Sequence, residues 1–252
     1  IPEVKVANGV ERNSLKAMYE VRGYTYTEDA KMLEEARGNL KEVQDALTEA
    51  FSLASKSKNL GELDTNAKKA KDAVDRYSKQ VDTLVAMNKE IGGSVASMGD
   101  SGKVLLDNMR TYVEMQEKLL DDEIGQNAQL KERVKKIKDM GALVELVYMM
   151  RMGVWQGIAT RNSDTLRKGM ERIGEIEKSA AELLKITRQQ VNIDQLNKIR
   201  EAGKDYRAGL EKYIKQLDDK EAMGKERRAI AGEVLKAGVE TADAGMKSTL
   251  QV

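Results

Sequence analysis

The sequence predicts an all-α protein of six helices, two of them long, forming two stacked four-helix bundles with both chain termini at the same end. The 252-residue chain has one proline, at Pro2, so no later proline interrupts a helix. Aromatic residues make up 4% of the chain and charged residues 34%. This is the composition of long amphipathic helices with thin cores.

One helix of roughly 60 residues is predicted from position 62 onward, because apolar residues recur there at spacings of three and four. This seam runs from Leu63 to Leu119 and skips Asn88, Gly102 and Gln116. At 1.5 Å per residue the helix would be about 90 Å long, which suggests two bundles rather than one.

A second long seam, from Leu196 to Gly238, predicts the sixth helix. Four shorter amphipathic segments complete the set, at positions 4–25, 27–57, 127–160 and 163–188. Thr27 and Ser163 are the expected N-caps of two of them. Helices joined by short connections alternate in direction, so an even number returns the C-terminus to the end where the chain begins.

Residue content excludes several classes of function. The 43 Lys and Arg residues balance 42 Asp and Glu and are interspersed with them, so no basic face indicates nucleic acid. The sequence has no histidine and no cysteine, which removes the commonest general base and the commonest metal ligands. We therefore expect no enzyme activity, no cofactor and no metal site.

No apolar run reaches the ~18 residues that cross a bilayer. The start at Ile1 fits a processed or excised segment.

The stretch 99–104 differs from a phosphate-binding loop because Val104 replaces the required Ser or Thr and no strand precedes it. Met149, Met150 and Met152 are interpreted as flexible core filling rather than a metal or heme site.

Two helices repeat one pattern, in which an apolar residue, a tyrosine, an arginine and an aromatic residue follow at spacings of four, three and four. The pattern reads Leu15, Tyr19, Arg22, Tyr26 in the first helix and Val144, Tyr148, Arg151, Trp155 in the fourth. The spacing predicts that each arginine faces the bundle interior. A buried unpaired cation costs roughly several kcal/mol, so a carboxylate or a bound anion should accompany it. Glu20 and Glu145 are the nearest alternative partners.

Counting residues along the helices places Arg22 roughly 32 Å from the N-terminal end of the chain and Arg227, in the sixth helix, roughly 38 Å from the C-terminal end. Since both ends are expected to lie together, the two arginines should lie at nearly the same level along the bundle. Asn88 reaches a similar height. The predicted proximal site consists of Tyr19, Arg22, Tyr26, Asn88, Lys225, Arg227 and Arg228. The predicted distal site consists of Tyr148, Arg151, Trp155 and Tyr213. Guanidinium groups with phenol and amide donors suit a small carboxylate, which arginine binds through two hydrogen bonds.

The six-helix plan and the paired Tyr19-x-x-Arg22 and Tyr148-x-x-Arg151 motifs resemble the helical bimodular sensor domain of bacterial methyl-accepting chemotaxis proteins and some sensor kinases. The resemblance covers essentially the whole chain. It implies one sensor domain with a membrane-proximal module (1–92 plus 224–252) and a distal module (93–223). It also implies a periplasmic domain of an inner-membrane protein, with transmembrane helices outside these residues and a homodimer in the full receptor.

The resemblance further implies a small organic acid ligand, such as a dicarboxylate or acetate, bound between helices and signalled by a helix shift. The resemblance also implies how organic-acid binders of this family build the proximal site, from two arginines one turn apart on the first helix together with an arginine and a threonine on the sixth. Arg22 matches the second of the pair and Tyr19 stands at the first, while the sixth-helix positions fall near Lys225 and Ala229. Arg151 matches the distal arginine.

Other interpretations compete with an organic-acid sensor. The chain could be a structural or partner-binding helical protein, spectrin-like or adhesin-like, with Arg22 and Arg151 paired internally. It could also be a sensor kinase domain that recognises a periplasmic binding protein. An enzyme without histidine would need paired carboxylates in one core layer, and the seams contain none. The discriminating observation is whether the two arginines lie against protein carboxylates or face an open cavity.

Overall fold

The computed structural model describes residues 2–56, 61–124 and 130–250. Over these residues the chain forms six helices, two of them long, and no strand, which confirms the predicted all-α fold class. The helices are α1 (Pro2–Thr27), α2 (Ala30–Ser55), α3 (Gly61–Ile124), α4 (Leu130–Thr160), α5 (Ser163–Ile186) and α6 (Gln190–Leu250). The predicted ends at 57 and 127 lie outside the described residues. A membrane-crossing apolar stretch does not occur in any described helix.

The helices divide into two compact units. Unit 1 comprises Ile1–Lys89 and Lys220–Val252, and unit 2 comprises Glu90–Asp219. Each unit therefore contains one hairpin of shorter helices together with part of α3 and part of α6. The module boundaries predicted from the sequence lie after residues 92 and 223.

Unit 1 has a core of mainly small side chains. Valine and alanine predominate among its buried residues, such as Val10, Ala17 and Ala36. These small residues let helices approach closely, since a Cβ atom added to Gly9 of α1 would lie 3.7 Å from the Cβ of Ala46 on α2. The first half of α1 also packs against α6, where an added Cβ on Gly238 would lie 3.6 Å from Cγ1 of Val10.

Unit 2 has a core of larger side chains. Its buried residues include Met140, Leu143 and Ile173, together with tyrosines from α3 and α6. Here α4 and α5 approach closely at two glycines. An added Cβ on Gly157 would lie 2.7 Å from Cγ of Leu166, and one on Gly169 would lie 2.7 Å from Cγ2 of Val154.

The connection between α1 and α2 is short and capped. Glu28 follows the end of α1 with φ 58, and the Asp29 side chain accepts a hydrogen bond from the backbone N–H of Lys31. Asp29 is therefore the N-cap of α2, and the expected cap at Thr27 is wrong. Thr27 ends α1, where its hydroxyl donates to the carbonyl of Gly23.

The connection between α4 and α5 repeats this arrangement. Arg161 has φ 52, and the Asn162 side chain accepts a hydrogen bond from the backbone N–H of Thr165 at 2.9 Å. Asn162 is the N-cap, and Ser163, the expected cap, is already the first helical residue. In both connections an Asx side chain caps the helix, as these short polar groups commonly do.

Candidate anion-binding site

The tyrosine–arginine stripe of α1 faces outward, beside the buried seam. Tyr19 is 71% exposed and Tyr26 65% exposed, and Arg22 is exposed as well. The seam that α1 buries is Val6, Val10, Asn13, Ser14, Ala17, Val21 and Tyr24. The prediction that Arg22 faces the bundle interior is therefore wrong. Burying this seam instead keeps the Arg22 guanidinium group and the phenols of Tyr19 and Tyr26 in contact with water.

The equivalent stripe of α4 also lies on the flank of its buried seam. Val147, Met150 and Val154 form that seam, whereas Tyr148 and Trp155 are 43% and 44% exposed. Arg151 is half-buried between these two faces. The stripe thus borders the core of unit 2 without forming it.

A cavity of about 310 Å³ in unit 1 brings four of the predicted proximal residues together. Its lining comprises Met18, Arg22, Thr25, Tyr26, Tyr77, Arg227, Arg228 and Ala231. These residues come from α1, α3 and α6. Arg22 and Tyr26 lie one turn apart on α1, and Arg227 and Arg228 follow one another on α6.

Arg227 is the buried cation of this cavity, at 8% exposure. Its Nη2 donates a hydrogen bond to Oγ1 of Thr25 at 2.9 Å, and its buried Nη1 has no hydrogen-bond partner among the described residues. Burial lowers the pKa of Arg227; the Tyr77 phenol opposes this effect and the Arg228 cation adds to it. Arginine nevertheless stays charged in proteins, so a guanidinium cation is held here without a full set of acceptors.

The three arginines of the cavity have no carboxylate partner within the described parts of the chain. Arg22, Arg227 and Arg228 form no ion pair there. Glu20, the alternative partner considered for Arg22, does not bind it. The site therefore concentrates positive charge that the described side chains leave uncompensated.

Tyr77 is a site residue that the sequence analysis missed. It is 3% exposed, and burial raises the pKa of Tyr77 to about 12, with Arg227 opposing the shift. The phenol is therefore neutral near pH 7 and can donate a hydrogen bond. Its position in the α3 seam, facing the layer of Arg227, was the available signal.

Asn88 was predicted at the level that Tyr77 occupies. It lies eleven residues further along α3, about 16 Å away, and is not among the lining residues. Asn88 is buried at 6% exposure, and neither of its side-chain polar atoms has a hydrogen-bond partner within the described ranges. Asn88 therefore belongs to a different layer of unit 1.

Tyr19 and Lys225 also lie outside the lining of the cavity. Tyr19 is directed to the surface, and Lys225 forms an exposed ion pair with Glu221 at 2.8 Å. Thr25, by contrast, lines the cavity and was missed. Its spacing of three from Arg22 places both on one face of α1, but a neutral threonine gives no charge signal.

In unit 2, Arg151 lies beside Tyr206 rather than Tyr213. Burial raises the pKa of Tyr206 to about 12, and the charge of Arg151 opposes this shift. Both side chains contact α3 at Gly102, where an added Cβ would lie 3.1 Å from Cζ of Arg151. Tyr213 is buried seven residues further along α6.

The other predicted distal residues lie on the exposed side of α4. The Tyr148 hydroxyl accepts a hydrogen bond from Nη2 of Arg110 at 2.8 Å, and Trp155 is partly exposed. Arg151 has no carboxylate partner in the described residues, Glu145 included. The structure therefore brings Arg151 together with Tyr206 and Gly102, and leaves Trp155 at the surface.

No protein-family model matches the chain, and no curated protein sequence matches it. Among solved structures, it is similar to the TorS sensor domain, as seen in a crystal structure of its complex with TorT in the presence of TMAO. The two are 14% identical in sequence, with 96% of this chain and 99% of that chain covered and a TM-score of 0.60. At this level of identity the likeness shows a shared fold.

Proposed function

We propose that this chain is the extracytoplasmic sensor domain of a bacterial transmembrane chemoreceptor and that it binds a small organic acid anion in the unit 1 cavity. The observation that carries the proposal is the lining of that cavity by Arg22, Arg227 and Arg228, for which the described residues provide no carboxylate partner. We propose a non-catalytic role as well, since the cavity offers cations and phenols that bind an anion.

An anion would supply what this cavity lacks. A carboxylate accepts two parallel hydrogen bonds from a guanidinium group, and such charge-assisted bonds are about twice as strong as neutral ones. The volume of about 310 Å³ is at the small end for ligand pockets. Acetate and C4 dicarboxylates are therefore the ligand class that fits both charge and size.

The cavity also provides a route for signalling. Arg22 belongs to α1, whereas Arg227 and Arg228 belong to α6. An anion that contacts both helices binds with different affinity to different packings of α6 against α1, and it shifts their populations accordingly. Such a shift would carry the signal along α6.

The fold shared with a sensor domain supports this proposal. We place the chain in the periplasm, attached to the inner membrane through flanking helices, with unit 1 as the membrane-proximal module and unit 2 as the distal one. A homodimer in the full receptor is consistent with the exposed apolar side chains of Leu15, Tyr19 and Tyr26 on α1.

Calorimetric titration with acetate, succinate, malate and citrate tests the proposal. We expect saturable binding of at least one acid and a loss of about 10-fold to 100-fold in affinity for Arg227→Ala. Arg76→Ala is the matched control, because Arg76 also lies in unit 1 but pairs with Glu233 at the surface. No saturable binding, or equal binding by Arg227→Ala, would overturn the proposal.

A protein partner is a second candidate function, favoured by the surface of α4. Tyr148, Met152 and Trp155 are 43%, 68% and 44% exposed, and their spacings of four and three place them on one face. Exposed aromatic and methionine side chains are typical of protein interfaces. The TorS sensor domain in the comparison structure is itself bound to TorT.

Photo-crosslinking in cells tests this second candidate. A crosslinking residue at Trp155 should capture a periplasmic protein that the same residue at Lys178, on α5, does not. Equal capture at both positions, or none at either, would argue against this surface as a binding face.

A further inference from the structure

We infer that Thr25 is a positioning residue that holds Arg227 in place for the anion; the inference rests on the proposed function. The Thr25 side chain is neutral, so it has no charge that would attract an anion. Its importance lies in the hydrogen bond of 2.9 Å that its Oγ1 accepts from Nη2 of Arg227.

The direction of this hydrogen bond is fixed by α1 itself. A hydroxyl group has one hydrogen to donate, and the Thr25 hydroxyl donates it to the backbone carbonyl of Val21 at 2.7 Å. Oγ1 can therefore meet Arg227 as an acceptor. Thr25 presents a lone pair to the guanidinium group at a position set by the helix.

A neutral acceptor fixes the guanidinium group without neutralising it. The Thr25 oxygen accepts one hydrogen bond from Nη2, while the buried Nη1 has no hydrogen-bond partner in the described part of the chain. The positive charge also remains uncompensated, because no described carboxylate pairs with Arg227. Thr25 thus orders the arginine and leaves its charge for a ligand.

Ordering a side chain before a ligand arrives improves affinity. Immobilising a long side chain on binding costs free energy equivalent to about threefold to tenfold in Kd. Because Thr25 already holds Arg227 in the folded protein, ligand binding does not have to immobilise this side chain. Thr25 should therefore contribute to affinity without touching the ligand.

The same bond joins α1 to α6 within unit 1. By thermodynamic reciprocity, whatever factor the Thr25–Arg227 bond adds to anion affinity, the anion adds to the strength of that bond. Ligand binding should consequently tighten the attachment of α6 to α1 at this layer. The change in Kd and the change in ligand-induced stability must then agree through RT times the logarithm of the Kd ratio.

Thr25→Val and Thr25→Ser provide the test, with acetate, succinate and citrate as probes. Valine keeps the branched shape and removes the hydroxyl, whereas serine keeps the hydroxyl. We expect Thr25→Val to raise Kd about threefold to tenfold and Thr25→Ser to restore binding to within about twofold. In the Arg227→Ala background, Thr25→Val should have no further effect, since the residue through which it acts is gone.

Thr48→Val is the matched control, because the Thr48 hydroxyl on α2 donates to the carbonyl of Gln44 in the same way but lies outside the cavity. It should leave Kd unchanged. Wild-type affinity in Thr25→Val, with affinity lost in Arg227→Ala, would overturn the role of Thr25 and leave the proposed function standing. Failure of the wild type to bind any probe would overturn both.

Reciprocity provides a second readout. At one saturating concentration, the stability that the probe adds to the wild type should exceed that added to Thr25→Val by RT times the natural logarithm of the ratio of their Kd values. Equal stabilisation of the two proteins would contradict the inference.

Discussion

Gly102 of α3 and Tyr206 of α6 lie so close that a Cβ atom added to the glycine would be 2.9 Å from Cε2 of the tyrosine. The Arg151 guanidinium group lies against the same glycine, 3.1 Å from the added atom. Gly102 is one of the skipped positions of the α3 seam. Its missing side chain leaves the space in which an arginine and a tyrosine meet inside unit 2.

Gly102→Ala should therefore destabilise the protein. Alanine favours a helix over glycine by about 1 kcal/mol, but overpacking against Tyr206 costs about 1–3 kcal/mol, so we expect a net loss. Gly99→Ala on the same helix is the control, since nothing lies within 4 Å of its added Cβ; it should stabilise. Urea unfolding measures both, and a Gly102→Ala protein as stable as Gly99→Ala would contradict the packing described.

Two of the buried tyrosines, Tyr77 and Tyr206, predict a fall in stability at alkaline pH. Burial raises the pKa of Tyr77 and of Tyr206 to about 12, from an ordinary value of 10.0. Between these values the unfolded chain releases phenolic protons that the folded protein retains. The contribution of each tyrosine to the free energy of unfolding is therefore complete below pH 10. It falls as the pH rises towards 12, by up to about 2–3 kcal/mol per tyrosine.

Urea unfolding at about pH 9, 10 and 11 measures this slope. Tyr77→Phe and Tyr206→Phe should each make the fall shallower, because phenylalanine has no proton to lose. Tyr19→Phe, at a residue 71% exposed, should leave the slope unchanged. A slope that is the same in all four proteins would exclude Tyr77 and Tyr206 as its cause.

Arg207 of α6 and Glu177 of α5 form a two-point ion pair in unit 2. Nε lies 3.1 Å from Oε1 and Nη2 lies 2.8 Å from Oε2, with both side chains about two-thirds buried. A double-mutant cycle with alanine should give a coupling of about 1 kcal/mol. The exposed pair of Lys185 and Glu182 should couple by less than about 0.5 kcal/mol, and equal couplings would contradict this difference.

The N-cap of α5 gives a further test. Asn162→Ala removes the acceptor for the backbone N–H of Thr165 and should cost about 1 kcal/mol. Ser163→Ala removes an exposed hydrogen bond to Asp218 and should change stability by less than about 0.5 kcal/mol. Thermal unfolding would distinguish them, and a larger loss at Ser163 would favour the cap expected from the sequence.

The long seams were predictable because their period persists over many turns. Residues such as Leu63, Leu84 and Leu105 are buried as the three-and-four spacing of α3 requires. Even the skipped position Gln116 has a physical account, since its Oε1 accepts a hydrogen bond from Nη1 of buried Arg133 on α4 at 2.7 Å. A polar gap in one helix is met there by a cation from another.

The site was harder to predict because a short stripe does not say which side of a helix is buried. In α1, spacings of four and three describe both the exposed stripe that contains Arg22 and the buried stripe that contains Val21. The sequence prediction that the Arg22 stripe faces the core is the wrong choice between them. The level of a residue along the bundle is also hard to predict, because counting residues along successive helices adds an error at each connection. For this reason the count predicts Asn88 at the level where Tyr77 lies.

The repeat between the two helical hairpins is also offset. Arg22 lies six residues before Glu28, whereas Arg151 lies ten before Arg161, and Glu28 and Arg161 are the two non-glycine residues with positive φ in the described chain. The motifs match in spacing but differ by about one helical turn relative to the connections. Spacing within a motif could not reveal this offset.

The central claim is that Arg22, Arg227 and Arg228 form an anion site in unit 1, and a crystal of the domain grown with 2-bromosuccinate tests it most directly. Anomalous scattering locates the bromine atom independently of any assumption about the ligand. We predict a peak inside the unit 1 cavity, with a carboxylate oxygen within hydrogen-bonding distance of Arg227. A bromine peak elsewhere, or an empty cavity at saturating bromosuccinate, would contradict the account.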